Sequence, residues 1–414
     1  MRSVIIIGGG AAGMLSAIFA AKNGAKVMLL ERNEKLGKKV YITGKGRCNL
    51  TNVAQGEDFL RQIARNPRFL YAAMANFDSA DMMALMESLG VPVKVERGGR
   101  VFPVSDHASD VTAGLKRELN RLGVEIRYET RVHALRIADG VCKGVLTESG
   151  EALSADALIV CTGGLSYPST GSTGDGLRFA EDAGHAVAEP RPSLVPIDTR
   201  ESWPGMLAGL SLKNVVLRAW TVGKKKKVFF EEMGEMLFTH NGISGPIALS
   251  LSSRLPANLD GIQMEIDLKP ALDMQALDAR LLRDFKELSR KQIVHVMDGL
   301  APHSLGQQIL VLAGISPQTP VHSVTQAQRA RIAELLKGLP LTPSGVHGFE
   351  EAIVTRGGVS VKEINPSTMA SKRVRGLYFA GEVLDVDAMT GGFNLQIAFS
   401  TGALAGRSAA LEEA

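Results

Sequence analysis

Cysteine is scarce in this chain: Cys48, Cys142 and Cys161 are the only three in 414 residues, far apart and without a CxxC pair. That excludes the even-numbered disulfide framework of small secreted proteins and a dithiol redox motif, and it suits a reducing, cytoplasmic setting. Net charge is nearly absent too, 47 basic against 43 acidic residues for a formal +4 with both signs spread along the chain, which gives little drive towards nucleic acid or anionic lipid. The eight histidines are scattered and none forms HxxxH, so no metal site is expected. GxSxG, the serine-nucleophile elbow, is missing. One long uncharged run exists, Val4 to Ala21, but its β-branched start, its three glycines and the nearby Lys22, Lys26 and Glu31 read as a buried strand turning into a helix, not as a signal peptide or membrane span. No membrane association is expected.

What is present is a large globular composition, 45% hydrophobic and 22% charged, in a chain longer than one core usually supports. Val4–Ile7 reads as a strand, Ala11–Asn23 as a helix ended by Gly24, and Lys26–Glu31 as a second strand, a βαβ rhythm that predicts a parallel sheet. Helices are expected over Pro67–Phe77, Ser79–Leu89 and Ser109–Leu122. Strands follow at Val124–Tyr128, Val132–Ile137 and Val141–Glu148, the last two joined through an Asp139-Gly140 turn in a small antiparallel meander. Ala157–Cys161 reads as another central strand. Beyond Pro190 and Pro192 the texture becomes β-rich, with strands at Val215–Val222 and Lys227–Phe230 and no helix expected before about Asp273; residues 273–338 then read as helical. Strand patterns return at Ala352–Thr355 and Gly376–Ala380 ahead of a closing helix at Asn394–Ala410. The expected division is therefore 1–190 plus 351–414 as a Rossmann-type nucleotide domain, 191–272 plus 339–350 as an inserted β-rich domain, and 273–338 as a helical subdomain.

The chemistry concentrates in glycine-rich turns. Gly8, Gly10 and Gly13 form G-x-G-x-x-G between strand and helix, and Glu31 ends the next strand 18 residues after Gly13. Glycines permit the tight turn and close approach of a pyrophosphate, the helix N-terminus attracts its charge, and the acid accepts bonds from ribose hydroxyls. This pattern points to a dinucleotide without separating FAD from NAD(P). Asp156–Gly164 (DALIVCTGG) and Gly376–Gly381 (GLYFAG) resemble the second and third nucleotide-contacting stretches of two-dinucleotide-binding flavoproteins, which favours FAD and adds Thr162, Gly163 and Gly164 to the candidates.

Three further runs, Gly44–Asn52 (GKGRCNLTN), Gly234–Pro246 (GEMLFTHNGISGP) and the stretch EVLDVDAMTGGFNLQIAFSTG after Gly381, resemble the BaiN/RdsA-type, aminoacetone oxidase-like FAD-dependent flavoprotein family. Its members have been described as aminoacetone oxidases, as enone reductases acting on bile acids, or only as conserved flavoproteins. The resemblance spans essentially the whole chain. It implies a non-covalent FAD domain built from both chain ends, interrupted by a β-barrel-like domain and a helical one. Carried over by position, it places Gly8, Gly10, Ala11, Ala12 and Gly13 on the pyrophosphate, Glu31 on the adenosine ribose, and Arg32 and the Val132 backbone on adenine. Lys39 is a further cofactor candidate. Arg47, Cys48, Asn49, Leu50 and Thr51 are implied to run beside the ribityl chain and flavin ring, and Gly381, Glu382, Gly392, Phe393 and Asn394 to close over the pyrophosphate and pyrimidine edge. Where family members often read Gly-Pro-Thr-Gly-Gly, this chain has Ala388-Met389-Thr390-Gly391-Gly392, which leaves the flavin-edge backbone open.

The plain readings stand beside these. Cys48 reads as a packed, inert thiol, Arg47 as a phosphate or flavin-carbonyl partner or else a surface charge. His240 and Tyr167 are candidates for proton transfer, or a turn histidine and a packed tyrosine. Lys224–Lys227 reads as a solvated hairpin turn, with RNA or an anionic substrate as the alternative. Gly171–Gly176 is G-x-x-G-x-G, the wrong order for a second fingerprint, so NAD(P)H is expected to engage only transiently. The expected function is an FAD-dependent oxidoreductase, an NAD(P)H-linked reductase of a small or steroid-like unsaturated substrate, with no nucleic-acid partner; the alternatives are an oxygen-dependent amine oxidase of the aminoacetone type and an RNA-binding or RNA-modifying flavoprotein.

Overall fold

Val4–Ile7 carries four apolar side chains in a row, and all four are buried, as a parallel strand covered on both faces requires. In the computed structural model, which describes every residue except 224–226 and 412–414, this strand is the centre of a five-stranded parallel sheet. Its strands are β1 (Ser3–Ile7), β2 (Lys26–Leu30), β3 (Glu125–Arg127), β4 (Ala157–Val160) and β5 (Leu377–Phe379), in the order β5-β4-β1-β2-β3. The chain leaves β1 for β2 on one side and reaches β4 on the other, so the C-terminal end of β1 is a topological switch point, the place where open α/β sheets bind ligands. The strand expected at Val124–Tyr128 belongs to this sheet as its edge, while the meander is formed by Val132–Ala138, Val141–Thr147 and Ala152–Ser154.

Two helices cross under the switch point: α1 (Ala11–Lys22) and α2 (Phe393–Leu411). Their approach is set by small residues, because a Cβ on Gly402 would overlap the carbonyl oxygen of Ala12 and one on Gly406 that of Ser16. Ser16 Oγ donates to Gly402 O at 3.0 Å across the same crossing. Sheet, helices and meander share one hydrophobic core, within a unit formed by Met1–Ser193 and Gly348–Ala414.

The second unit is Leu194–His347. Seven antiparallel strands form its sheet, with Ser211–Thr221 and Lys227–Phe238 as the long central pair and Ile262–Asp267 beside the former. Helices Met274–Glu287, Val294–Asp298, His303–Leu312 and Gln326–Lys337 share one core with that sheet, Leu277, Ile309 and Leu336 lying in the same cluster as Leu217 and Ile266. The segment expected to lack helices before Asp273 contains Pro246–Ser252, opened by Pro246 at its first position, where the missing N–H costs nothing. Gly245 and Pro246 read as turn residues; they are the helix start. The Lys224–Lys227 run lies outside the described residues apart from Lys227.

Candidate functional site

The turn from β1 to α1 is built from backbone. Gly8 has φ 101°, and a Cβ there would stand 2.6 Å from the carbonyl oxygen of Cys161. A Cβ on Gly13 would overlap the carbonyl oxygen of Gly8, so this glycine lets helix and strand touch. Gly10 differs: nothing lies within 4 Å of its hypothetical Cβ. Gly10 is the N-cap of α1, which has no side-chain cap and no acidic residue in its first turn. The first helical bond runs from Met14 N to Gly10 O at 3.0 Å. The N–H groups of the first turn thus have no acceptor supplied by the helix, in front of open space, which is what an anion needs.

Glu31 closes the adjacent side. Only 6% exposed, it accepts from Gly9 N at 2.7 Å on one oxygen, and from Asn33 N at 2.8 Å and Asn33 Nδ2 at 2.7 Å on the other. The oxygen facing Gly9 keeps a lone pair for a hydroxyl. Arg32 donates to Thr173 Oγ1 at 2.6 Å and lies 3.4 Å from Asp175 Oδ2, so its charge is held at the Gly171–Gly176 turn. A Cβ on Gly171 would meet Asn33 Nδ2 and Arg32, which makes this turn a wall behind Glu31 and Arg32. Val132 is buried at the start of the meander.

The two most specific sequence runs meet. A Cβ on Gly392 would overlap the carbonyl oxygen of Thr51; Thr51 Oγ1 donates to Gln396 Oε1 at 2.7 Å, and Asn52 Nδ2 donates to Gly391 O at 3.0 Å. Asn394 holds the preceding loop, accepting from Ala388 N at 2.9 Å and donating to Ala388 O at 2.8 Å. The Ala388-Met389 departure from the family pattern is therefore anchored by Asn394. Phe393 stacks edge to face on Phe59 with centroids 5.1 Å apart. Leu50 is fully buried and its N–H bonds Val101 O.

Lys39 and Glu382 come together across 343 positions, Nζ to Oε2 at 2.5 Å. Ser166 donates to the other oxygen of Glu382 and accepts from Lys39 at 2.6 Å, and Thr355 N donates to the same Glu382 oxygen at 2.8 Å. Burial pushes Glu382 up, but the Lys39 ammonium and these donors outweigh it and hold the carboxyl below its ordinary range. Gly381 has φ 80°, and a Cβ there would press on Ala12 Cβ at 2.8 Å, so the turn before Glu382 lies directly on the start of α1.

Two of the candidate contacts have firm surroundings of their own. The Arg47 guanidinium is ion-paired with Glu96 and Asp106 and lies 4.2 Å over the Phe102 ring. The hydrogen bonds it donates to those carboxylates hold it still more firmly protonated. These pairs fasten the GKGRCN loop, where Gly44, Lys45 and Cys48 all have positive φ. Cys48 is fully buried, and burial pushes its thiol up to about 12, the state of an inert packed cysteine. Tyr167 is half-buried with φ 50° and ψ 62°, its N–H bonded to Phe349 O at 2.9 Å. A left-handed tyrosine is a costly backbone state of the kind found at functional sites. His240 is an exposed turn residue of the second unit, with its carbonyl oxygen against Gly205.

Ser166 and Thr355 lie outside every motif, and Asn52 and Gln396, although inside the GKGRCNLTN and TGGFNLQ runs, were not singled out as site residues; only their neighbours were. Two buried oxygens, Asn49 Oδ1 and Thr162 Oγ1, have no hydrogen-bond partner. Both lie in the runs read as cofactor contacts, and orphaned acceptors and donors of this kind fit a polar ligand. With the open space at Gly10 and the uncapped helix start, these residues fit FAD. Among the described residues no cluster of ligating side chains could hold a metal, and no helix is long and apolar enough to cross a membrane.

A parallel sheet whose switch point carries a glycine turn, an acid at the end of β2 and a C-terminal return defines a Rossmann-type FAD-binding flavoprotein, of the FAD-dependent oxidoreductase class. The chain belongs to the HI0933-like family: the HI0933-like protein Rossmann domain matches residues 2–408. It is 34% identical over 416 residues, 99% of each chain, to a 3-dehydro-bile acid delta(4,6)-reductase of Clostridium scindens. It is 32% identical over 400 residues, 96% of each chain, to a ribosomal RNA dihydrouridine synthase of Haemophilus influenzae. A solved 3-ketosteroid delta1-dehydrogenase from Sterolibacterium denitrificans shares the fold at a TM-score of 0.50 and 13% identity, covering 99% of this chain and 100% of that one.

Proposed function

We propose that this flavoprotein is a reductase that takes electrons from NADH or NADPH and saturates a carbon–carbon double bond conjugated to a carbonyl in a small, steroid-like substrate. The observation that carries this reading is the full-length likeness to a protein named as a bile acid delta(4,6)-reductase. In this reading the first turn of α1, with Gly8, Gly10, Ala11, Ala12 and Gly13, binds the pyrophosphate. Glu31 takes the ribose, and Arg32 and the Val132 backbone flank adenine. Thr162, Gly163, Gly164, Asn49, Leu50 and Thr51 run along the ribityl chain and ring, and Gly381, Glu382, Gly392, Phe393 and Asn394 cover the pyrophosphate and pyrimidine edge, with Lys39 holding Glu382. Bound FAD supplies the two-electron chemistry, and these residues bind, orient and exclude water. The FAD domain is assigned to 1–190 plus 351–414. The turn at Gly171–Gly176 offers no second fingerprint, so the nicotinamide visits the site transiently.

A second reading, reduction of uridine in ribosomal RNA, is favoured by the relatives named as ribosomal RNA dihydrouridine synthases, including one of Escherichia coli at 31% identity. The two readings share their chemistry, since the uracil 5,6 double bond is also conjugated to a carbonyl. The third is an oxidase of the aminoacetone type. Anaerobic stopped-flow absorbance separates them. NADH or NADPH bleaches the flavin band, and a 3-oxo-Δ4 steroid restores it. Recovery only with a ribosomal RNA fragment selects the second reading, and bleaching by aminoacetone but by neither nicotinamide selects the third. The variant His240→Ala is expected to slow reoxidation by the steroid at least ~100-fold with FAD content unchanged, if this side chain transfers a proton; a normal rate leaves it a turn residue and moves the test to Tyr167→Phe.

A further inference from the structure

Charge is balanced over the whole chain but not within it. Residues 61–71 and 361–375 together hold seven basic residues and one acid, against a formal +4 for all 414 residues. The fold brings these two stretches to one groove of about 570 Å³, a volume in the range of small-molecule sites. Arg68 comes from the first stretch, Lys362 and Lys372 from the second. Pro67, Val361 and Pro366 supply apolar surface, and none of the described lining residues is acidic.

Both sides of the groove are tied to one residue. Asn66 Nδ2 donates to Asp385 O at 2.7 Å, which fixes the turn Pro67–Leu70. Asp385 N donates to Val359 O at 3.0 Å, which fixes the strand Val354–Val359 leading into the turn Val361–Glu363. The neighbouring acids are engaged elsewhere: Asp385 pairs with Arg65, and Glu363 pairs with Arg373 and accepts from Ala186 N at 2.8 Å. Among the described residues the side chains of Arg68 and Lys362 have no hydrogen bond or ion pair, and Lys372 Nζ donates to Lys362 O at 2.9 Å and to no carboxylate. Three cations around one groove without a counter-charge favour an anion of more than one charge. An arginine beside two lysines suits a phosphate, gripped by the guanidinium fork and neutralised by the ammonium groups.

We propose that this groove holds the adenosine 2′-phosphate end of NADPH, so that Arg68, Lys362 and Lys372 make the protein select NADPH over NADH. The inference rests on the reductase reading above, which needs a nicotinamide donor but has no second fingerprint to cradle its pyrophosphate. A dinucleotide that visits without that cradle has to be recognised at another group. The 2′-phosphate is absent from NADH, carries close to two charges at neutral pH, and is met by arginine in other dinucleotide sites. The apolar surface beside the cations then takes the adenine. The placement agrees with this use. The segment that ties the groove together at Asp385 runs on to Gly391, whose carbonyl accepts from Asn52 Nδ2 at 3.0 Å, where the two runs assigned to the flavin meet. The adenosine end of the donor thus lies on a segment whose far end borders the flavin in that reading.

The test uses the FAD-loaded protein, and the three cationic side chains are exposed, so replacing them leaves the fold intact. In calorimetric titration the wild type binds 2′,5′-ADP at least ~10-fold more tightly than 5′-AMP, and Arg68→Ala and Lys362→Ala each weaken 2′,5′-ADP about tenfold or more. Equal binding of the two nucleotides by the wild type, or wild-type affinity for 2′,5′-ADP in both variants, overturns the proposal. In the second arm, anaerobic flavin reduction is followed against the concentration of NADPH and of NADH. The wild type half-saturates at lower NADPH than NADH, and that preference falls at least ~10-fold in Arg68→Ala. A wild type that prefers NADH, or a variant that weakens both donors equally, also overturns it. If neither nicotinamide reduces the flavin, the reductase reading fails while the titration still decides whether the groove takes a 2′-phosphate. Loss of binding to a ribosomal RNA fragment in these variants, with 2′,5′-ADP binding unchanged, assigns the groove to a polyanion and overturns the proposal.

Discussion

The two units of the chain solve different burial problems, and the difference explains why one discloses its chemistry in sequence and the other does not. In the parallel unit, β1 and β4 are buried on both faces, so they read as unbroken apolar runs, and side chains are excluded wherever backbone meets backbone. Glycine is the only residue that fits those crossings, and its spacing records the geometry: Gly8 and Gly13 between β1 and α1, Gly402 and Gly406 between α1 and α2. In the unit Leu194–His347 the sheet is antiparallel, and the strand Lys227–Phe238 alternates more and less buried residues from Phe230 onward. Packing there is side chain on side chain, which many sequences satisfy, and nothing in the pattern is tied to one ligand.

The sharpest way to break this comparison is to place a side chain at each of two glycines in one motif. Gly13→Val overlaps the Gly8 carbonyl and has nowhere to go, so the cost is expected to be at least ~3 kcal/mol and the variant to be recovered unfolded or free of flavin. Gly10→Ala faces open space and keeps the fold, losing FAD instead because the methyl group stands where a pyrophosphate approaches. Thermal melts together with flavin absorbance per chain separate the two. Equal destabilisation by both would mean that Gly10 is a packing glycine as well.

Legibility followed the same line. The glycine turn with Glu31 beside it was readable because backbone approach restricts residue type, whereas the packing of GRCNLTN on TGGFNLQ was not expected. The network around Glu382 was half readable: Lys39 and Glu382 could be named, but Ser166 and Thr355 are ordinary residues 216 and 27 positions from Glu382, and a hydroxyl leaves no periodic trace. Arg47 shows the opposite limit. A Gly-Lys-Gly-Arg loop suggests a phosphate ligand, yet the acids that neutralise this arginine, Glu96 and Asp106, lie 49 and 59 residues further on. The helix Pro246–Ser252 was hidden because Gly-Pro marks a turn and a helix start equally well.

The next largest effect tests that half-legible network. Lys39→Met leaves the Glu382 carboxylate part-buried without its cation, at an expected cost of roughly 2–4 kcal/mol, below the ~3–5 of a fully enclosed pair because both side chains keep about a fifth of their surface, 22% and 19%. The sign with pH is definite. Glu382 is held below its ordinary range, so its contribution is present above the unfolded-state value and is lost as pH falls through the folded one. The wild type should therefore lose stability faster than Lys39→Met on acidification below about pH 4.5, the ordinary glutamate value, and the two denaturation curves should converge. Parallel curves would show that the pair contributes no stability. Smaller again is Glu31→Ala, which removes the partner of Gly9 N and Asn33 and a ribose acceptor together. FAD affinity is expected to fall by roughly 1–3 kcal/mol, and titration of the apoprotein with FAD measures it.

The smallest expected effect is a rate that does not change, and it separates the two units directly. All three cysteines lie in the nucleotide unit, and residues 194–347 contain none. Each is buried, and burial pushes the thiols up to about 12 for Cys48, about 11 for Cys142 and about 12 for Cys161, so at pH 8 thiolate is scarce even before access is considered. Labelling by a disulfide reagent at pH 8 therefore proceeds only through opening of that unit, and bound FAD slows all three positions together. Leu336→Ala removes buried volume from the other core and should cost about 2–5 kcal/mol there. If the two units open independently, circular dichroism registers that loss while the three thiols label at the wild-type rate. Acceleration of all three by Leu336→Ala would show instead that the antiparallel core holds the nucleotide unit closed, and the two burial problems would then have to be treated as one.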